Sequence, residues 1–124
     1  MQKPLALVVE DEWLLMDVVQ EELLEDGFEV ATAASGEEAI VKMEEARGRI
    51  TCLLTDIRLG AGIDGWEVAR RARQMHPGLP VVYMTGDSAS NWVANGVPES
   101  VLLAKPFALS QLTAALTKLV NAAQ

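Results

Sequence analysis

A chain of 124 residues, half of them apolar and 23% charged, can close around one hydrophobic core but is too short for two. Eighteen acidic residues against ten basic give a net charge of −8, which disfavours nucleic acid, whose capture relies on Lys and Arg neutralising phosphates. No apolar run approaches the ~20 residues of a membrane span, and Met1-Gln2-Lys3-Pro4 leads to Glu10-Asp11-Glu12 after too short an apolar stretch for a signal peptide, so a cytoplasmic protein is expected.

Short apolar runs alternate with segments of helical period from the first residues to the last. Leu5 to Val9 reads as a first strand, followed by a helix in which Leu15, Val19 and Leu23 recur every four residues. Glu29 to Ala33 is the second strand, and Ile40, Met43 and Arg47 with Ala39 and Ala46 mark a second, shorter helix. The third strand, Thr51 to Thr55, contains Cys52, the only cysteine; this excludes an internal disulfide and a multi-cysteine metal site, and predicts a buried, inert thiol. On the third helix Trp66 is expected to pack inward, and His76 closes the helix before Pro77-Gly78. Val81 to Thr85 is the fourth strand. The stretch that follows, with Gly86, Asn91, Asn95, Gly96 and Pro98, predicts a weak helix of about two turns. Val101 to Ala104 is the fifth strand, and Leu109, Leu112, Leu116, Leu119 and Ala123 give the last helix one apolar stripe.

Strands and helices in strict alternation, joined by right-handed crossovers, predict an α/β domain spanning residues 1–124. Its architecture is a doubly wound, five-stranded parallel sheet with helices on both faces, flavodoxin-like in strand order 2-1-3-4-5. In such a sheet, ligands bind at the carboxyl ends of the strands. Here those ends are Glu10-Asp11-Glu12, Asp56, Thr85-Gly86 and Lys105-Pro106. Clustered carboxylates are costly unless a cation neutralises them, and hard oxygen donors suit Mg²⁺. A divalent ion beside a carboxylate, with a lysine and a hydroxyl facing it, supplies what phosphoryl transfer needs. Asp56 is then the nucleophile, since a carboxylate can form an aspartyl phosphate.

Glu10-Asp11, Asp56, Thr85 and Lys105-Pro106-Phe107 together resemble the signature of the response regulator receiver family, and the resemblance runs from the first strand to the last helix. It implies that Asp56 accepts a phosphoryl group from a phosphohistidine on a sensor histidine kinase or phosphotransfer protein. It further implies that Asp11, Asp56 and the backbone carbonyl of Arg58 hold Mg²⁺, with Glu10 acting through water, and that Thr85 and Lys105 bind phosphoryl oxygens. A cis bond before Pro106 is common in the family. Such a protein switches contacts with a downstream partner and is not a turnover enzyme. A receiver ending at its fifth helix is expected to stand alone; one cut from a hybrid kinase or a longer regulator is the alternative. Three departures stand out. Leu102 occupies the place of the family's aromatic switch residue, the loop after Asp56 is one residue longer with glycine in place of proline, and Gly86 follows the threonine.

Rival readings have specific answers. Gly60-x-Gly62-x-x-Gly65 spells a dinucleotide fingerprint with Asp87 further on, but Asp56 to Leu59 separates it from the strand and Asp56 repels a pyrophosphate. An aspartate-nucleophile phosphatase of the haloacid dehalogenase type shares a nucleophile, a threonine and a lysine, yet its acid two residues after the nucleophile is Arg58 here. The carboxylates of the first helix (Glu21, Glu22, Glu25, Asp26) and the second (Glu37, Glu38, Glu44, Glu45) read as a solvated face, with partner docking on the first helix as the sharper alternative. Trp13 and Trp92 are expected to be partly buried, with a partner anchor the alternative.

Overall fold

The computed structural model describes residues 3–86 and 92–123. Five parallel strands, β1 (Leu5–Val9), β2 (Glu29–Ala33), β3 (Cys52–Asp56), β4 (Val81–Thr85) and β5 (Val101–Ala104), form one sheet in the order β2-β1-β3-β4-β5. The helices between and after them are α1 (Trp13–Glu25), α2 (Gly36–Glu45), α3 (Gly65–Met75), α4 (Trp92–Asn95) and α5 (Leu109–Ala122). The three central strands, β1, β3 and β4, are buried along their whole length, as the near-continuous apolar runs require of strands covered on both faces.

Strand alternation divides the core into two layers. Leu7, Val9, Leu53, Val81 and Tyr83 meet Ala39 and Met43 of α2 and Trp66, Val68 and Ala72 of α3. Ala6, Val8, Leu54, Val82 and Met84 meet Val19 and Leu23 of α1 and Leu112, Leu116 and Val120 of α5. Cys52 belongs to this second layer; burial pushes its thiol up to about 12, so the side chain packs as a small hydrophobe and has almost no thiolate to react with.

Two boundaries differ from the sequence reading. The third strand starts one residue later, because the Thr51 hydroxyl accepts the Leu5 N–H at 3.0 Å, and it runs on through Asp56 to pair with Met84. The second helix stops before Ala46 and Arg47, which belong to a turn that Gly48 closes at φ +83°. The described part of the fourth helix, Trp92–Asn95, is one turn, closed where Gly96 N–H donates to the Trp92 carbonyl at 2.7 Å. Part of the weak stretch, residues 87–91 with Asp87 of the fingerprint, lies outside the described residues.

Candidate functional site

Register sets the site. Thr55 pairs with Val9, Asp56 with Met84, and Thr85 with Ala104, so Glu10, Asp56, Thr85 and Lys105 leave neighbouring strands at one edge. Asp56, Arg58, Thr85, Gly86 and Lys105 line a cleft of about 350 Å³ there. Glu10, Asp56 and Thr85 are buried, whereas Asp11 is exposed. One carboxylate oxygen from each of Glu10, Asp11 and Asp56 lies within 4.8 Å of the others.

Such crowding needs positive charge, and Lys105 supplies it. Its Nζ donates to Glu10 Oε1 at 3.1 Å and to Asp56 Oδ2 at 3.3 Å. The other Glu10 oxygen accepts the Glu12 N–H at 3.1 Å. Burial nevertheless dominates at Glu10: it pushes the carboxyl up to about 7, with the backbone hydrogen bond and Lys105 pulling the other way. Lys105 loses some of its preference for charge through burial, but Glu10 and Asp56 more than restore it and hold the ammonium above its ordinary value. The donor set, three carboxylates with two of them buried, fits a hard divalent cation. The peptide bond between Lys105 and Pro106 is cis.

The family model of the response regulator receiver domain matches residues 6–117. The chain belongs to the response regulator receiver family. A response regulator receiver protein from Sinorhizobium medicae superposes with a TM-score of 0.95 at 38% identity, covering 99% of this chain and 98% of that one. A receiver protein from an Anaeromyxobacter strain is 36% identical over 90% of this chain, and the transcriptional regulator TrcR of Mycobacterium tuberculosis is 31% identical over 94%. The chain spans under half the length of these two, 43% and 45%. The receiver domain of a sensor histidine kinase from Pseudomonas aeruginosa, whose structure holds a magnesium ion in the active-site cleft, superposes with a TM-score of 0.82 at 26% identity over 97% of this chain and 99% of that chain. Receivers are signalling domains that bind Mg²⁺ in an acidic pocket, and Glu10, Asp11 and Asp56 form an acidic cluster here.

The three glycines of the apparent dinucleotide fingerprint have backbone reasons. Gly60 and Gly62 take φ of +78° and +102°, and a Cβ on Gly65 would strike the carbonyl of Asp56. They shape the loop between β3 and α3. Leu102 is half-buried and pairs across β4 and β5 with Tyr83, so the aromatic ring in this part of the receiver sits on the neighbouring strand. That ring is fixed: it lies 4.8 Å from Trp66 between centroids, and its hydroxyl accepts the Val97 N–H at 3.0 Å. His76 caps α3 by donating its backbone N–H to the Ala72 carbonyl at 2.9 Å.

Two surface expectations need revision. Trp13 is 76% exposed and not partly buried, because α1 turns Val19 and Leu23 to the sheet and leaves its amino-terminal end uncovered; Trp92 is partly buried as expected. Glu37 and Glu38 are not simply solvated: Glu38 accepts the Ala34 N–H at 2.7 Å and Glu37 the Ile63 N–H at 3.0 Å.

Proposed function

We propose that Asp56 is the phosphoacceptor of this receiver, taking its phosphoryl group from a phosphohistidine on a sensor histidine kinase or a histidine phosphotransfer protein. A carboxylate oxygen of Asp56 attacks phosphorus, the P–N bond breaks, and the imidazole leaves with the electron pair and takes up a proton. Glu10, Asp11, Asp56 and the backbone carbonyl of Arg58 would hold Mg²⁺, with Glu10 acting through water. Mg²⁺, when bound, neutralises charge on the phosphoryl oxygens. Lys105 then exchanges its contact with Asp56 for a phosphoryl oxygen, and the Thr85 hydroxyl donates to another. The observation that carries this reading is the meeting of Glu10, Asp11 and Asp56 within 4.8 Å, beside a lysine that reaches two of them.

The reading extends to the chain as one receiver domain over residues 1–124 that acts in the cytoplasm by switching contacts with a downstream protein. No helix among the described residues is long and apolar enough to cross a membrane. Arg58, two residues past the nucleophile, offers no carboxylic acid to protonate a leaving group, so turnover of phosphoesters is not expected. The donor would dock where α1 exposes Trp13, Leu14 and Val18, next to a groove lined by Leu15, Pro106 and Phe107.

Incubation with acetyl phosphate and Mg²⁺, followed by intact mass, tests the central step. Wild type should gain one phosphoryl mass and Asp56→Asn none. Equal labelling of both, or of neither, would remove the reading; steady phosphate release from generic esters would favour a phosphatase.

A further inference from the structure

The loop from β3 to α3, residues 57–64, is gripped from α2, an element that supplies none of the carboxylates, the hydroxyl or the lysine of the site. Ile63 N–H donates to Glu37 Oε2 at 3.0 Å across 26 residues of sequence. Two glycines permit this approach. A Cβ on Gly62 would meet the Glu37 carboxylate, and one on Gly36 would meet the Ile63 carbonyl. The Ile63 side chain meanwhile packs on the core layer under α2 and α3. Glu37 titrates below an ordinary glutamate, chiefly because the Ile63 N–H bonds its charged form. Glu38 carries most of the capping of α2, turning back to Ala34 N–H while Ser35 accepts the Glu38 N–H at 3.1 Å; Glu37 meets its own N–H as well as that of Ile63. At the other end of the loop, Gly65 N–H donates to the Ile57 carbonyl at 2.8 Å, and a Cβ on Gly65 would strike the Asp56 carbonyl. The backbone of Arg58 therefore lies between two fixed points.

We propose that Glu37 is a positioning residue for the phosphoacceptor loop: by holding Ile63 it fixes the backbone of Arg58, and so sets how tightly a cation is held beside Asp56. This rests on the reading of Asp56 as a cation-assisted phosphoacceptor. The carboxylate acts here as a hydrogen-bond acceptor, and an amide oxygen at the same position serves the same purpose more weakly.

The test uses the whole chain with Glu37→Ala, Glu37→Gln, and Glu45→Ala at the far end of α2 as control. Three readouts are compared: amide hydrogen exchange at Ile63 and Arg58 without metal, the Mg²⁺ concentration that half-saturates the amide shifts of residues 57–64, and acetyl phosphate labelling at saturating Mg²⁺. Glu37→Ala should speed exchange at Ile63 by about tenfold, the size of a lost charged hydrogen bond. It should also raise the half-saturating Mg²⁺ several-fold while leaving saturated labelling unchanged; Glu45→Ala should match wild type in all three, and Glu37→Gln, whose neutral oxygen makes a weaker bond, should fall between wild type and Glu37→Ala in exchange and Mg²⁺ response. Unchanged exchange and Mg²⁺ response in Glu37→Ala would overturn the proposal. So would a Glu37→Gln variant as impaired as Glu37→Ala, or loss of labelling at saturating Mg²⁺ with an unchanged midpoint. If wild type neither responds to Mg²⁺ nor labels, the phosphoacceptor reading fails and the metal half of the proposal with it, while exchange at Ile63 still decides whether the clamp exists.

Discussion

Lys105 and Glu10, 95 residues apart, meet at 3.1 Å with the glutamate side chain almost wholly buried and the lysine about three-quarters so. The same ammonium reaches Asp56, so one cation answers two carboxylates in the absence of metal. Lys105→Met should lower metal-free stability at neutral pH by roughly 2 kcal/mol, less than for a dry pair because part of the lysine meets water. Urea denaturation in a chelating buffer measures this; a variant as stable as wild type would mean that solvent already screens the cluster.

Glu10 makes the site sensitive to pH. Its folded value of about 7 lies above the ordinary 4.5, so the carboxyl contributes stability that is fully present below 4.5 and is lost as pH rises through 7. Metal-free stability should therefore decline across that interval, and the decline should flatten in Glu10→Gln. Cation binding should run the opposite way, since the ionised carboxylate is the form that would hold a metal-bound water. Calorimetry near pH 7 in buffers of different ionisation enthalpy should show proton release on Mg²⁺ binding in wild type, and its persistence in Glu10→Gln would assign the proton elsewhere.

Tyr83 ties β4 to the turn before β5. Its hydroxyl accepts the buried Val97 N–H at 3.0 Å, and burial pushes the phenol above its ordinary value, so it remains a neutral partner. Tyr83→Phe keeps the ring on Trp66 but orphans that N–H, which should cost on the order of 1 kcal/mol and expose the Val97 amide to exchange. A variant with wild-type stability and exchange would show that the amide finds another acceptor.

The sheet and most of the site were legible because both follow from local rules. Apolar runs of strand length fix β1, β3 and β4, and the ligand edge of a parallel sheet follows from chain direction, so Glu10, Asp56, Thr85 and Lys105 could be gathered from their places in sequence. The Glu37 to Ile63 contact was not legible, since it depends on how closely α2 approaches a loop, and that distance is set by Gly36 and Gly62 in three dimensions. Exposure of Trp13 was missed for a related reason. Periodicity on α1 shows which residues face the sheet, but not that the end of the helix beyond them is left uncovered.

Trp13 gives the most direct test of docking. At 76% exposed, with Leu14 at 56% and Val18 at 40% on the same helix, it leaves apolar surface in water at the start of α1, just after Glu10-Asp11-Glu12. Large exposed aromatics of this kind serve as interface anchors, and truncating one typically costs about 2 kcal/mol or more of binding. Trp13→Ala should therefore slow phosphotransfer from a phosphohistidine protein by more than about tenfold at subsaturating donor. Labelling by acetyl phosphate, which needs no docking surface, should be unchanged, and stability should move by less than about 0.5 kcal/mol because the ring is mostly in solvent. Equal losses with both donors would place Trp13 in the chemistry instead of the contact, and no loss with either would leave α1 out of the donor interface.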